Sequence, residues 1–284
     1  LTPLGGAVTL RDVREYHRIH VVPPGRRWWV SAIIVGVYLA AQMTVIALIL
    51  PIAVWDDGAR RTILGVVALL TGAYAALLGA LVWRRVSRSV RLDRTARANG
   101  FEYSEREPLT RFAGTPLERA GRPEASDVVR SGDAAGGRGD LDVAIATFAV
   151  SPGLVSSRAG VIEIRLDRPV PHIVLENRRA RILRRSGDRF RAGQHLALEG
   201  DFDRTFRLHC PTGYERDALY LFTPDLMALL LDLAPDCEVE LVDDRLLLYS
   251  GQPWELWRPE RFARVLALID TIGSKAARRS SRYR

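Results

Sequence analysis

Two stretches decide how this chain is built: WWVSAIIVGVYLAAQMTVIALILPIAVW, Trp28 to Trp55, and TILGVVALLTGAYAALLGALVW, Thr62 to Trp83. Neither holds a charged residue over its 28 or 22 positions, and only six residues, DDGARR, separate them. About 20 such residues as a helix cross a hydrocarbon core of roughly 30 Å. Backbone amides in lipid must be satisfied within the segment, so both runs are predicted to be helices joined by a tight turn. Trp28, Trp29, Trp55 and Trp83 mark the ends, where an indole sits half in lipid and half in water.

The flanking arginines set the orientation. Arg11, Arg14, Arg18, Arg26 and Arg27 precede the first run, and Arg84, Arg85, Arg88, Arg91, Arg94 and Arg97 follow the second. The connecting loop sets Arg60 and Arg61 beside Asp56 and Asp57. Basic flanks stay inside, so the expectation is a multi-pass protein of the cell (inner) membrane with both termini cytoplasmic. Gly36, Ala40 and Thr44 in one run and Gly72, Ala76 and Ala80 in the other recur every four residues, a spacing that lets helix backbones approach. With no ionisable group inside either run, anchoring is the expected role rather than transport.

The chain has 284 residues and a formal charge of +8, but the charge is unevenly spread. Residues 11–27 carry +3, 84–97 carry +5 and 275–284 carry +5, which leaves −5 for residues 98–274. Basic segments beside a bilayer are drawn to anionic headgroups, on the order of 1 kcal/mol per charge. A nucleic-acid-binding domain would itself be basic, so nucleic acid is excluded as a partner. The two cysteines, Cys210 and Cys237, are read as reduced core thiols in a cytoplasmic body. One Lys against forty Arg is the bias of a GC-rich bacterial genome, and because the chain opens on Leu1 its native start is expected upstream.

Taken in order, residues 1–10 are expected to be a loose lead-in and Arg11 to His20 a basic amphipathic helix, broken by Pro23, Pro24 and Gly25. The second apolar helix should continue as a basic stalk to a C-cap at Asn99 and Gly100. The body then opens on a short strand, Phe101 to Ser104, followed over 108–121 by a loop with room for one helical turn. The tract 122–140, with its glycines, reads as loop and matches no phosphate-binding pattern. Alternation predicts strands at Leu141 to Ala149, Val161 to Leu166 and His172 to Leu175, a long exposed connection after them, and strands at Leu196–Leu198 and Phe206–Cys210. Ala218 to Phe222 forms a short apolar segment. Thr223-Pro224-Asp225 starts a helix that Pro235 stops. Glu238–Val242 and Leu246–Tyr249 read as a hairpin around Asp243-Asp244-Arg245. Pro259 to Ile272 is an amphipathic helix burying Phe262, Val265, Leu266 and Ile269, and a basic disordered tail follows.

Chemistry is sought where polar residues crowd, from Glu199 to Asp217, with Asp225 just beyond. Asp201, Asp203, His209 and Asp217 are the candidates for an acid/base or metal-ligand set. The structural reading gives these residues turn, surface and helix-start positions. No catalytic triad or zinc-protease motif appears, and no resident metal or cofactor is expected.

The runs LEGDFDRTF (Leu198–Phe206), YERDALYLFTPDLMALLLD (Tyr214–Asp232) and CEVELVDDRLLLYS (Cys237–Ser250) resemble a family of bacterial membrane proteins. Its members carry two adjacent transmembrane helices followed by a cytoplasmic domain of unknown function. The resemblance covers roughly residues 194–250 and implies this architecture, with no activity, cofactor or catalytic residue to carry over.

The sequence thus reads as α+β, with an N-terminal two-helix transmembrane hairpin before a soluble domain of mainly antiparallel sheet and two C-terminal helices. The expected parts are a basic cytoplasmic segment 1–27, a hairpin 28–83 (28–55 and 62–83), a stalk 84–100, a cytoplasmic domain 101–273 and a tail 274–284. The expected function is a membrane-anchored interaction or regulatory module. Arg84, Arg85, Arg88, Arg91, Arg94, Lys275, Arg278 and Arg279 are expected at the surface of the anionic bilayer, and a protein partner or second copy at the Asp201–Asp225 edge. The alternatives are a membrane-bound metal-dependent hydrolase using the Asp201–Asp217 acids and a subunit of a larger envelope complex.

Overall fold

The structure is a computed structural model that describes residues 8–19, 35, 36, 38, 42, 57–118, 120, 124–131, 141–150, 157–180, 182–185, 194–198 and 201–283. Most of the Trp28–Trp55 run, the segment 1–7, the breaker Pro23-Pro24-Gly25 and the glycine tract 132–140 lie outside the described residues. The chain forms two compact units, residues 7–90 and residues 91–284.

In the first unit, helix α1 spans Leu10–Ile19. Thr9 and Asp12 cap it reciprocally: Thr9 N–H donates to Asp12 Oδ2 at 2.7 Å and Asp12 N–H to Thr9 Oγ1 at 3.4 Å. Helix α2 runs from Asp57 to Ala98, 42 residues and roughly 63 Å at 1.5 Å per residue. Its apolar portion is long enough to cross a membrane, with large side chains exposed, Leu69 at 72% and Val82 at 62%. A helix at the core of a water-soluble protein would bury such residues.

Positions 35, 36, 38 and 42 of the first run are helical, and two of them meet α2. The Tyr38 and Tyr74 rings stack with centroids 3.9 Å apart. Tyr38 Oη donates to the Leu70 carbonyl at 3.3 Å, Gln42 Nε2 donates to Tyr38 Oη at 2.7 Å, and Thr71 Oγ1 donates to Gln42 Oε1.

α2 closes on the cap read in the sequence. Gly100 takes φ +77°, its N–H bonds to the Arg97 carbonyl at 3.1 Å, and Asn99 Nδ2 bonds to the Thr95 carbonyl at 2.7 Å. In the second unit, the last turns of α2 bury Leu92, Thr95 and Ala96 completely. From Arg91 onward the helix is therefore part of the body rather than a free stalk.

The body is α+β. Its strands are β1 (Phe101–Pro108), β2 (Glu124–Ser131), β3 (Val143–Ala149), β4 (Arg158–Asn177), β5 (Gln194–Leu196), β6 (Phe206–Cys210) and β7 (Cys237–Ser250). All pairings are antiparallel, in the order β1-β2-β3-β4-β6-β5, with β7 on the other side of β4. The helices are α3 (Thr115–Glu118), α4 (Ile182–Arg185), α5 (Asp201–Thr205), α6 (Glu215–Leu221), α7 (Pro224–Leu233), α8 (Pro259–Leu268) and α9 (Ser274–Ser281). A single 3₁₀ turn, Leu109–Arg111, follows β1.

β4 is the spine. Its first half pairs with β3 and its last residues with β6, while β7 lies along its other side throughout. The sequence reading divides both long strands, β4 into 161–166 and 172–175 and β7 into a hairpin. Both continue through shared irregularities, where the register shifts between Arg165, Val170 and Ile173 opposite Asp243. Asp243, at φ +50°, takes the left-handed conformation expected of a turn, but here it makes a bulge and the strand goes on. The same device hides β2 inside the tract read as loop: Asp127 has φ +54° where the register shifts, so Ala125, Val128 and Val129 are buried without strict alternation.

Both faces of the sheet are covered. On one, Leu166, Val239, Leu241 and Leu246 meet Leu221, Phe222, Leu226, Leu230, Ile272 and Ala276 from the helices, around a residual space of about 10 Å³. On the other, Leu109, Phe112 and Leu117 from the segment after β1, with Ile182 and Leu183 from α4, join Ala144, Ala146, Phe148 and Tyr249. Every residue of β3 is buried, so the alternation read there does not separate a wet face from a dry one.

At the C-terminus, Phe262, Val265, Leu266 and Ile269 are buried as the amphipathic pattern requires. The chain then widens into a π turn, Ile269–Gly273, and continues as α9. The disordered tail expected from Ser274 is instead helical. Ala276, Ala277 and Ser280 give α9 a buried face, and Ser280 Oγ accepts the Asp167 N–H at 3.2 Å.

Candidate functional site

The polar chemistry of the body concentrates on the second face of the sheet, where β4 and β7 place carboxylates inward. The register puts Glu176 of β4 and Glu238 and Glu240 of β7 on one side, and the irregularity between Arg165 and Ile173 brings Glu163, an odd number of residues from Glu176, to the same side. Glu163, Glu238 and Glu240 are at most 3% exposed. An unpaired charge there would cost several kcal/mol, so what surrounds each one decides its state.

Glu240 is saturated with donors. Its carboxylate accepts the Thr115 backbone N–H at 3.1 Å, Thr115 Oγ1 at 2.6 Å and Tyr249 Oη at 2.7 Å, and His172 Nε2 lies 2.8 Å from Oε1. Burial pushes its pKa upward, but the hydrogen bonds from His172, Thr115 and Tyr249 outweigh burial and hold it below the ordinary carboxylate value. The Tyr249 phenol, fully buried beside this anion, is pushed well above its ordinary value.

Gly114 makes the cluster possible. It adopts φ +106°, and a Cβ there would collide with Tyr249 Oη and lie 3.2 Å from Glu240 Oε2. His172 and Glu240 have the geometry of an imidazole oriented by a carboxylate. The same carboxylate also carries three further donors, two from Thr115 of the crossing segment and one from Tyr249 further along β7, so it clasps Gly114–Thr115 to the sheet.

Glu163 and Glu238 act in the same way. Glu163 Oε2 accepts the Ala113 N–H at 2.7 Å, and Arg245 Nη1 lies 3.4 Å from its other oxygen. Burial raises its pKa against these contacts. Glu238 Oε2 accepts the N–H groups of Ile182 and Leu183 at 2.9 and 3.0 Å, tying α4 to β7, while Oε1 is buried with no hydrogen-bond partner. Desolvation pushes Glu238 up to about 7, with the anionic Glu176 adding to the rise and the backbone N–H groups opposing it. All three buried glutamates thus supply acceptors for backbone N–H groups of segments laid across the sheet.

The four candidate residues read from the sequence go to four separate partners. Asp201 pairs with Arg204 at 2.9 Å on the surface of α5, and Asp203 pairs with Arg178 at 3.2 Å. His209 on β6 lies 3.3 Å from Glu176 Oε2, and burial lowers its pKa against the pull of that carboxylate. Asp217 on α6 accepts a hydrogen bond from the Tyr283 phenol. Among the described residues no group of three or more His, Cys, Asp or Glu side chains gathers as a metal site. Cys210 and Cys237 are free and buried, and desolvation pushes the Cys237 thiol up to about 12, which keeps it protonated and unreactive.

Of the basic groups expected at a membrane surface, Arg84, Arg85 and Arg88 are exposed on α2, whereas Arg91 and Arg94 are half-buried. Lys275 bonds to Asp225 at 3.1 Å and the Arg279 guanidinium stands 5.4 Å over the Tyr220 ring, so both are engaged within the body; Arg278 is exposed.

Sequence reasoning missed the buried glutamates. The signal was present in CEVELV, where Glu238 and Glu240 share one face of a strand whose other face is apolar. That pattern ordinarily marks a solvated face, and only the crossing segments 109–118 and 182–185 reverse it.

No protein-family model matches this chain, and no curated protein matches it. Among solved structures it is similar to the crystal structure of the mycobacterial trehalose monomycolate transport factor A, at 17% sequence identity and a TM-score of 0.45, with 66% of this chain and 93% of that chain covered. At this level of likeness neither fold nor function passes from that protein to this one.

Proposed function

We propose that the chain is a membrane-anchored interaction or regulatory module: a two-helix transmembrane hairpin, residues 28–83, that tethers an α+β body on the cytoplasmic side. The observation that carries this reading is α2, whose apolar portion is exposed to an extent that only lipid, or another apolar surface, would cover. The hairpin is supported by the contacts of Tyr38 and Gln42 with Leu70, Thr71 and Tyr74. Such polar contacts between helices stabilise pairing in lipid by on the order of 1 kcal/mol. Arg84, Arg85 and Arg88, which directly follow Trp83, are the groups proposed to meet anionic headgroups.

An interaction role fits a body whose inward carboxylates are consumed by backbone clasps. The amphipathic face read over Pro259 to Ile272 is packed inside the body, with Phe262, Val265 and Leu266 buried, so the exposed apolar face left for a partner is that of the membrane segment. The test is extraction of the full chain from membranes. The proposal expects it to stay in the pellet through alkaline carbonate and to be released by mild detergent; recovery in the carbonate supernatant overturns it.

A further inference from the structure

A groove of about 420 Å³ opens between the end of β4, both ends of β7, the turn at 251–255 and α8. Three arginines line it: Arg179, just past β4, and Arg261 and Arg264, three positions apart and so on one side of α8. All three residues are exposed. Arg264 Nη2 donates to the Leu233 carbonyl at 3.3 Å, which holds that guanidinium at the wall. Two acidic residues share the lining, Asp236 and Glu255, and Glu255 is already paired with Arg258 at 3.2 Å.

This local excess of positive charge stands against its background, because residues 98–274 carry a net charge of −5. The wall also contains Trp254, 8% exposed, whose buried indole N–H has no acceptor. The groove therefore offers guanidinium donors and an apolar ring in a space sized for a small organic molecule.

We propose that this groove binds a phosphate-bearing organic anion, with the phosphate on Arg261 and Arg264, Arg179 closing from the opposite wall, and the organic part against Trp254. A planar fork of N–H donors matches two phosphate oxygens, and two such forks on one helix face match a tetrahedral dianion better than a single carboxylate. The ligand is either a soluble organophosphate or the headgroup of an anionic phospholipid. The inference goes beyond the anchoring role and does not depend on it.

The test uses the full chain in phosphatidylcholine nanodiscs, titrated calorimetrically with glycerol 3-phosphate and, separately, with inorganic phosphate. Saturable binding of glycerol 3-phosphate is expected, at least tenfold weaker in the Arg261→Gln/Arg264→Gln double variant and unchanged in Arg278→Gln, a substitution outside the groove. The single variant Arg261→Glu, which leaves the Arg264 contact with Leu233 intact, should abolish binding while keeping the wild-type thermal transition. Nanodiscs containing phosphatidylglycerol separate the sources: if they suppress glycerol 3-phosphate binding, the headgroup occupies the groove, and if they do not, the ligand is the soluble anion. Absence of saturable binding, or binding that survives the double substitution, overturns the proposal.

Discussion

Glu238→Gln should make the protein more stable at alkaline pH. Glu238 is completely buried on β7, with one oxygen bonded to two N–H groups of α4 and the other unpartnered. Its pKa in the fold is about 7 against an ordinary 4.5. Between those values the folded chain holds a proton that the unfolded chain has lost, so stability falls as pH rises through this window and the loss is complete above 7. A gap of about 2.5 units corresponds to about 3 kcal/mol. Glutamine keeps the acceptor for Ile182 and Leu183 and never ionises. Relative to wild type, the variant should therefore gain about 3 kcal/mol between pH 4 and pH 8. The measurement is equilibrium unfolding of both full chains in the same mild detergent, followed by near-ultraviolet circular dichroism, with the difference taken at each pH so that other titrating groups cancel. Curves that run parallel across this range, or a variant that loses ground as pH rises, would refute the buried-proton account.

Glu240→Gln should behave oppositely: its carboxylate is held ionised by Thr115, Tyr249 and His172, so an amide that turns an N–H toward those donors costs about 3 kcal/mol near neutral pH. That difference should shrink as pH falls through the depressed carboxylate value, read in the same unfolding series. Gly114→Ala should destabilise by about 3 kcal/mol or more, since it meets both a left-handed φ and the Tyr249 hydroxyl; loss of the folded near-ultraviolet spectrum is the expected readout, and a neutral effect would contradict the packing. In the hairpin, Tyr38→Cys paired with Tyr74→Cys should form an oxidant-induced crosslink, whereas Tyr38→Cys paired with Gly65→Cys should not; adding Gln42→Leu should weaken the pairing by about 1 kcal/mol and lower the yield.

Much of the framework is readable from residues because the relevant forces are local. The cap at Asn99-Gly100, the Thr223-Pro224 start of α7 and the buried stripe Phe262, Val265, Leu266 and Ile269 each depend on neighbours within a turn or two, and each forms as read. The irregular strands do not read this way. A left-handed aspartate looks the same in sequence whether it ends a strand or bulges it, so Asp127 conceals β2 and Asp243 passes for a hairpin turn. Which outcome occurs depends on β4, whose 20 residues offer β7 a continuous partner. The buried carboxylates are harder still. Glu163, Glu238 and Glu240 become interior only because backbone from positions 113, 115, 182 and 183 reaches across the sheet, contacts of 50 to 125 residues in separation that no local pattern encodes. Acids crowded in sequence, conversely, dispersed: Asp201, Asp203 and Asp217 each found a nearby cation or phenol.

Cysteine accessibility in intact cells reports whether the proposed hairpin is embedded in lipid with the body on one side. Cys210 and Cys237 are buried, so the native background is low. Gly58, in the first turn of α2, and Ala228, exposed on α7, are suitable positions for single cysteines. With a membrane-impermeant maleimide on intact cells, Gly58→Cys should label at once and Ala228→Cys only after permeabilisation. Labelling of Ala228→Cys from outside intact cells, or protection of both sites, would contradict the claim.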